Sequence, residues 1–300
     1  GGFLRKKDLE DHKVEWVDPI HVNYHGYQVW ELPPNGQGIV ALMALNILNN
    51  FQFKTRDVDC IHTQMEALKM AFADAKEYVT DSKCMEMPVR DLISVDYGKQ
   101  RANQIKHMAL PPRVDKPHGS GTVYLCTADK DGNMVSYIQS NYMGFGSGIV
   151  VDGVSLQNRG YDFSLDPTHV NYLMPHKKTY HTIIPGFLTK DNKPIGPFGV
   201  MGGYMQPQGH MQVVTNMIDF HLNPQMALDA KRFQWIENKK FILEPGFDEN
   251  IISELKKRGH EIEIEEELAM FGRGQIIVRL ENGVYIAGCE SRTDSNIACY

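Results

Sequence analysis

Residues Leu110 to Gly121 read Leu-Pro-Pro-Arg-Val-Asp-Lys-Pro-His-Gly-Ser-Gly, with three prolines, two glycines and no periodic apolar pattern. Proline fixes φ and lacks an amide donor, and glycine weakens any regular element, so the stretch is expected to be an exposed, mobile connection. It separates two segments of different character, expected as units 1–121 and 122–300. The first opens on Gly-Gly-Phe-Leu-Arg-Lys-Lys-Asp-Leu, a polar helical pattern without a preceding cap or strand, which suggests that the chain begins inside a larger protein. A short strand pattern at Tyr27 to Leu32 leads through Pro33-Pro34-Asn35-Gly36 into Gln37 to Asn50, apolar nearly all round and therefore expected as a buried helix. Met65, Leu68, Phe72 and Ala75 recur at helical spacing within Asp59 to Tyr78, an amphipathic helix.

From Thr122 onward the pattern turns to β. Thr122 to Ala128, the turn Asp129 to Asn133 and Met134 to Gln139 predict a hairpin. Val123 and Leu125 alternate with Tyr124 and Cys126, so both faces of its first strand carry apolar groups and both are expected to be covered. A helix follows Gly202-Gly203, Pro224 fits a first helical turn, and Ile251 to Arg258 predicts a helix closed by Gly259. Gln275 to Leu280 and Val284 to Ala287, joined through Glu281-Asn282-Gly283, predict a second hairpin. Hairpins among helices argue for an α+β fold with an antiparallel core.

Three hundred residues that are 42% hydrophobic can bury a substantial core. A net charge of -6 gives no basic face to neutralise a run of phosphates, which argues against a nucleic-acid partner. No apolar run approaches the roughly 18 to 20 residues that span a bilayer, so no membrane association is expected. The five cysteines, Cys60, Cys84, Cys126, Cys289 and Cys299, have no C-x-x-C spacing and read as free thiols, which favours a reducing, cytoplasmic compartment while leaving export open.

A threonine hydroxyl is a poor nucleophile, but at a chain terminus it has its own α-amino group beside it, with a pKa near 8, to accept the proton. A scission between Gly121 and Thr122 would create that arrangement at the start of the predicted strand. Read without context, a threonine that opens a strand after a glycine loop is ordinary. In Val200-Met201-Gly202-Gly203-Tyr204, two glycines before a helix suit an oxyanion hole, although without context such a pair is more often a tight turn. Gly144-Phe145-Gly146-Ser147-Gly148 lacks the Gly-Lys-Ser/Thr ending of a phosphate loop and reads as a shaped turn or substrate-side loop.

Taken jointly, Thr122-Val-Tyr-Leu-Cys-Thr-Ala-Asp-Lys-Asp-Gly-Asn133, the Gly144 to Gly148 loop, Leu156-Gln-Asn-Arg-Gly-Tyr-Asp-Phe-Ser164, Gly202-Gly203, and Ala287-Gly-Cys-Glu-Ser-Arg-Thr-Asp-Ser with Tyr300 resemble the γ-glutamyltranspeptidase family in order and spacing. The resemblance implies a four-layer αββα N-terminal-nucleophile sandwich with stacked antiparallel sheets. Residues 122–300 would form the small catalytic subunit, and residues 1–121 the C-terminal part of a large subunit whose earlier part is missing. It also implies self-cleavage before Thr122, Thr122 as nucleophile supported by Ser140 where the family has threonine, and oxyanion amides from Gly202 and Gly203. Asp162 would hold the α-amino group of a γ-glutamyl donor. No metal or organic cofactor is implied; the partners would be a small γ-glutamyl or related acyl amide and the two subunits of one precursor.

The departures lie in the pocket. Tyr142 replaces an asparagine, Arg159 replaces Glu or Gln, and His181-Thr182 replaces the paired serines that bind the α-carboxylate. Arg159 could meet a carboxylate bidentately and His181 could donate to one, although Tyr142 also fits a packed aromatic and His181 a satisfied buried histidine. The His-Thr pattern resembles the branch that includes cephalosporin acylases. Three functions are therefore expected to compete: γ-glutamyl transfer or hydrolysis on glutathione-type substrates, a glutaryl or cephalosporin-type acylase, and an uncleaved, catalytically silent binding module.

Overall fold

The computed structural model describes residues 3–112 and 122–300, so Gly121 and most of the Pro/Gly segment lie outside the described residues. The fold is α+β. Its central sheet is six-stranded and antiparallel throughout, in the order Ile20–Tyr24, Tyr27–Glu31, Gly186–Lys190, Lys193–Met201, Arg273–Arg279, Tyr285–Cys289. Tyr27–Glu31 pairs with Gly186–Lys190, Trp30 opposite Phe187, so strands from both sides of the Pro/Gly segment share one sheet.

The central strand Lys193–Met201 shows how the layers form. Successive side chains of a strand point to opposite faces. A Cβ added at Gly209 would meet Val200, and one added at Gly199 would meet the ring of Tyr124. One face of the strand therefore packs on the helix Met205–Ile218, and the other receives the hairpin of Thr122–Ala128 and Met134–Ser140. The helix Gly38–Leu48 is buried at every residue, as its all-round apolar sequence requires. The helix Val58–Tyr78 starts where the Asp57 carboxylate accepts from the Cys60 amide. Phe72 of that helix meets Trp235 of a second, three-stranded sheet, their ring centroids 5.4 Å apart.

Both expected hairpins form, the second through Gly283 at φ 85°. The expectation that both faces of the first hairpin are covered is corrected. Tyr124 and Ile138 are buried, whereas Val123, Leu125, Val135 and Tyr137 on the opposite face are exposed among the described residues. The cysteines are free thiols, and no helix of the described residues is long and apolar enough to cross a membrane.

Candidate active site

Thr122 opens its strand directly opposite Ser140 and is 5% exposed. Its hydroxyl donates to Ser140 Oγ at 3.1 Å, and the same oxygen accepts from the Tyr142 amide at 2.8 Å. Tyr142 has φ 78°, a left-handed conformation uncommon for a bulky residue. That turn lets its amide face Ser140 while its ring enters the interior.

The Tyr142 hydroxyl donates to Asp162 Oδ1 at 2.5 Å, and the Tyr204 hydroxyl donates to the same oxygen at 3.2 Å. The Arg159 guanidinium lies 4.5 Å from the centroid of the Tyr142 ring, 3.8 Å from Asp162 Oδ2 and 2.5 Å from Thr182 Oγ1. The Arg159 and Asp162 side chains are 8% and 5% exposed, so this ion pair lies away from bulk water. Burial pushes the Tyr142 phenol up, reinforced by the hydrogen bond to Asp162, and both tyrosines stay protonated donors at neutral pH.

The Gly202-Gly203 turn is built from several directions. Gly202 has φ 140° and its missing Cβ would come 3.1 Å from the Gly272 Cα, so only glycine fits. The carbonyls of Gly202 and Gly203 accept from the Met205 and Gln206 amides, which starts the helix Met205–Ile218 and puts its positive end at the turn. Gln37, fully buried, donates to the Gly203 carbonyl at 2.8 Å and to the Thr182 carbonyl at 2.6 Å. Behind the turn, Arg232 donates to the carbonyls of Phe271 and Gly272 and pairs with Glu290 at 2.9 Å, and Arg292 pairs with Glu290 at 2.6 Å.

Thr122, Ser140, Tyr142, Asp162, Arg159 and Thr182 thus form a continuous series of contacts, which Gln37 and Tyr204 extend to the Gly202-Gly203 turn. His181 stands apart. Its Nδ1 accepts from the Ile183 amide at 3.3 Å, which leaves the proton on Nε2, and the ring lines a different cleft with Asn35 and Lys178. Burial, reinforced by Arg159, pushes its pKa down to about 3, so it is a neutral imidazole at pH 7. Asp162 and Tyr204 line a cleft of about 250 Å³ with Phe163, His169, Asn171 and Tyr180. Tyr204 and Gln37 carry no assignment from the sequence, although both sit in quoted motifs; their roles depend on partners more than 40 and 140 residues away.

His62, Glu66 and His260 form a second buried cluster whose ligating atoms lie within 4.8 Å of one another. The geometry suits a cation, but the Lys69 ammonium already stands 2.5 Å from Glu66 Oε1. Lys69 also donates to the Leu110 carbonyl and Glu66 accepts from the Leu110 amide, while His62 Nε2 bonds the Lys106 carbonyl at 2.7 Å. The cluster anchors the chain where it approaches the Pro/Gly segment.

A family model described as gamma-glutamyltranspeptidase matches residues 1–300. A glutathione hydrolase-like YwrD proenzyme of Bacillus subtilis is 36% identical over 98% of the chain and 58% of its own length. An oxamate amidohydrolase proenzyme of Klebsiella pneumoniae is 30% identical over 98% of the chain and 57% of its own length. A crystal structure of cephalosporin acylase from Bacillus halodurans superposes with a TM-score of 0.96 at 56% identity, covering 100% of this chain and 56% of that one. The chain therefore spans little more than half the length of these relatives.

Proposed function

The chain belongs to the gamma-glutamyltranspeptidase family, and we propose that in the full-length protein it carries the catalytic apparatus of an amidohydrolase whose nucleophile is the N-terminal threonine freed by self-cleavage between Gly121 and Thr122. The observation that carries this reading is the hydrogen bond from the buried Thr122 to Ser140, at the first register pair of the hairpin.

In this mechanism the Thr122 α-amino group takes the hydroxyl proton as Oγ1 attacks the amide carbon. The amides of Gly202 and Gly203 receive the oxyanion, the amine departs with a proton, and a threonyl ester remains. Water, or an amine in the transfer reaction, then attacks the ester and regenerates the hydroxyl. Ser140 orients the nucleophile. The hairpin face bearing Val123, Leu125, Val135 and Tyr137 is where the remaining layer of an αββα sandwich would pack, and the two fragments would stay joined through the shared central sheet.

The substrate is read as a small amide with an acidic acyl group. A γ-glutamyl donor needs Asp162 to accept from its α-ammonium; a glutaryl-type donor needs only a cation for its distal carboxylate, which Arg159 supplies. Incubation of the full-length protein with acyl p-nitroanilides, followed by mass analysis of the quenched small fragment, tests the reading. An acyl adduct on the peptide that starts at Thr122 supports it, and turnover with no such adduct contradicts it.

A further inference from the structure

We propose that Tyr142 and Tyr204 are specificity-determining residues: together with Arg159 they occupy the Asp162 carboxylate, and so turn the acyl pocket toward chains that end in a carboxylate and bear no α-ammonium. The inference rests on the reading of Thr122 as the nucleophile of an acyl-amide hydrolase.

An ionised carboxylate accepts at about four lone-pair positions. At Asp162, Oδ1 already accepts from two phenols at 2.5 and 3.2 Å, and Oδ2 faces the Arg159 guanidinium at 3.8 Å. An incoming ammonium would have to share Oδ1 with the two phenols or approach Oδ2 alongside the guanidinium. It would also stand beside a guanidinium in a site shielded from water, where like charges repel strongly.

Nor is Tyr142 free to swing aside. Its ring is 1% exposed and covered by Arg159, and its amide bonds the Ser140 oxygen that accepts from Thr122. Moving the phenol therefore disturbs the support of the nucleophile. By contrast, Arg159 Nη2 is buried and has no hydrogen-bond partner among the described residues. A buried guanidinium N–H without an acceptor is costly, and a substrate carboxylate would satisfy it. The pocket thus offers an unused donor to an anion, and to a cation a carboxylate that two phenols and a guanidinium already surround. In this account Asp162 is a positioning residue that holds Arg159 and the two phenols in place.

The test compares glutaryl and γ-glutamyl p-nitroanilides on self-cleaved full-length protein, for the wild type and for Tyr142→Phe and Tyr204→Phe, singly and combined. Hydrogen bonds to charged groups are strong enough that the wild type should favour the glutaryl substrate by about tenfold or more in kcat/KM. Each phenylalanine should move the ratio toward the γ-glutamyl substrate by about tenfold, chiefly through a lower KM for it, because Asp162 regains an open lone pair. A wild type that prefers the γ-glutamyl anilide overturns the inference. So does a self-cleaved, active Tyr204→Phe or Tyr142→Phe protein whose ratio is unmoved. If the wild type hydrolyses neither anilide, the amidohydrolase reading fails and the specificity inference falls with it.

Discussion

Thr122 and Ser140 face each other across the first register pair of a β-hairpin, and the threonine hydroxyl donates to the serine Oγ at 3.1 Å. The serine receives a second hydrogen bond from the Tyr142 amide, so its oxygen is fixed in place and the threonine rotamer with it.

Replacing Ser140 by alanine removes that restraint and leaves Thr122, the proposed nucleophile, in place. The expected result is a loss of about 10- to 100-fold in kcat with little change in KM, since the interaction orients the reacting group and does not bind substrate. Steady-state kinetics on an acyl anilide measure it. A change confined to KM would contradict the assignment.

Gly202→Ala should be more damaging. The added methyl meets the Gly272 Cα, and φ 140° disfavours any L side chain. Loss of one oxyanion donor costs about 10²- to 10³-fold in kcat. Activity within threefold of wild type would remove this turn from the oxyanion role.

Glu290 is 2% exposed and pairs with both Arg232 and Arg292. Glu290→Leu leaves two guanidiniums short of a partner in the interior, a loss of about 3–5 kcal/mol. Denaturant unfolding of the full-length protein should register it, and an unchanged midpoint would contradict the role given to the cluster.

Stability should also fall in acid. Burial pushes the His260 pKa down to about 3 and lowers that of His62, the nearby cations Lys69 and Arg258 acting in the same direction. Unfolded imidazoles titrate near 6.5, so between the two values the unfolded chain binds more protons than the folded one. Stability is therefore complete above about pH 6.5 and declines as pH falls toward 3, by up to about 1.4 kcal/mol per pH unit for His260, with His62 adding in the same direction. Melting temperatures from pH 7 to 4 should fall less steeply in His260→Gln, and an equally steep fall would contradict the account.

Local pattern was enough for some elements and not for others. Both hairpins and the helices Gly38–Leu48, Val58–Tyr78 and Met205–Ile218 were legible because turn residues and apolar spacing mark them within a few residues. The strand Lys193–Met201 was not: Pro194, Gly196, Pro197 and Gly199 obscure its β character, and the two glycines suit the close approach of Ile277 and Tyr124. Asp162, Arg159 and Tyr142 could be nominated from motif position, but the engagement of Asp162 by two phenols arises from the fold. His181 and Thr182 are adjacent in sequence and face different surroundings, which no spacing argument could separate.

The most direct test of the central claim is N-terminal sequencing and intact-mass analysis of the purified, active full-length protein beside its Thr122→Ala variant. The account predicts two wild-type fragments, the smaller beginning at Thr122, and a single uncut, inactive chain for the variant. An active wild-type protein without a terminus at Thr122, or a variant that still cleaves or turns over substrate, would contradict it.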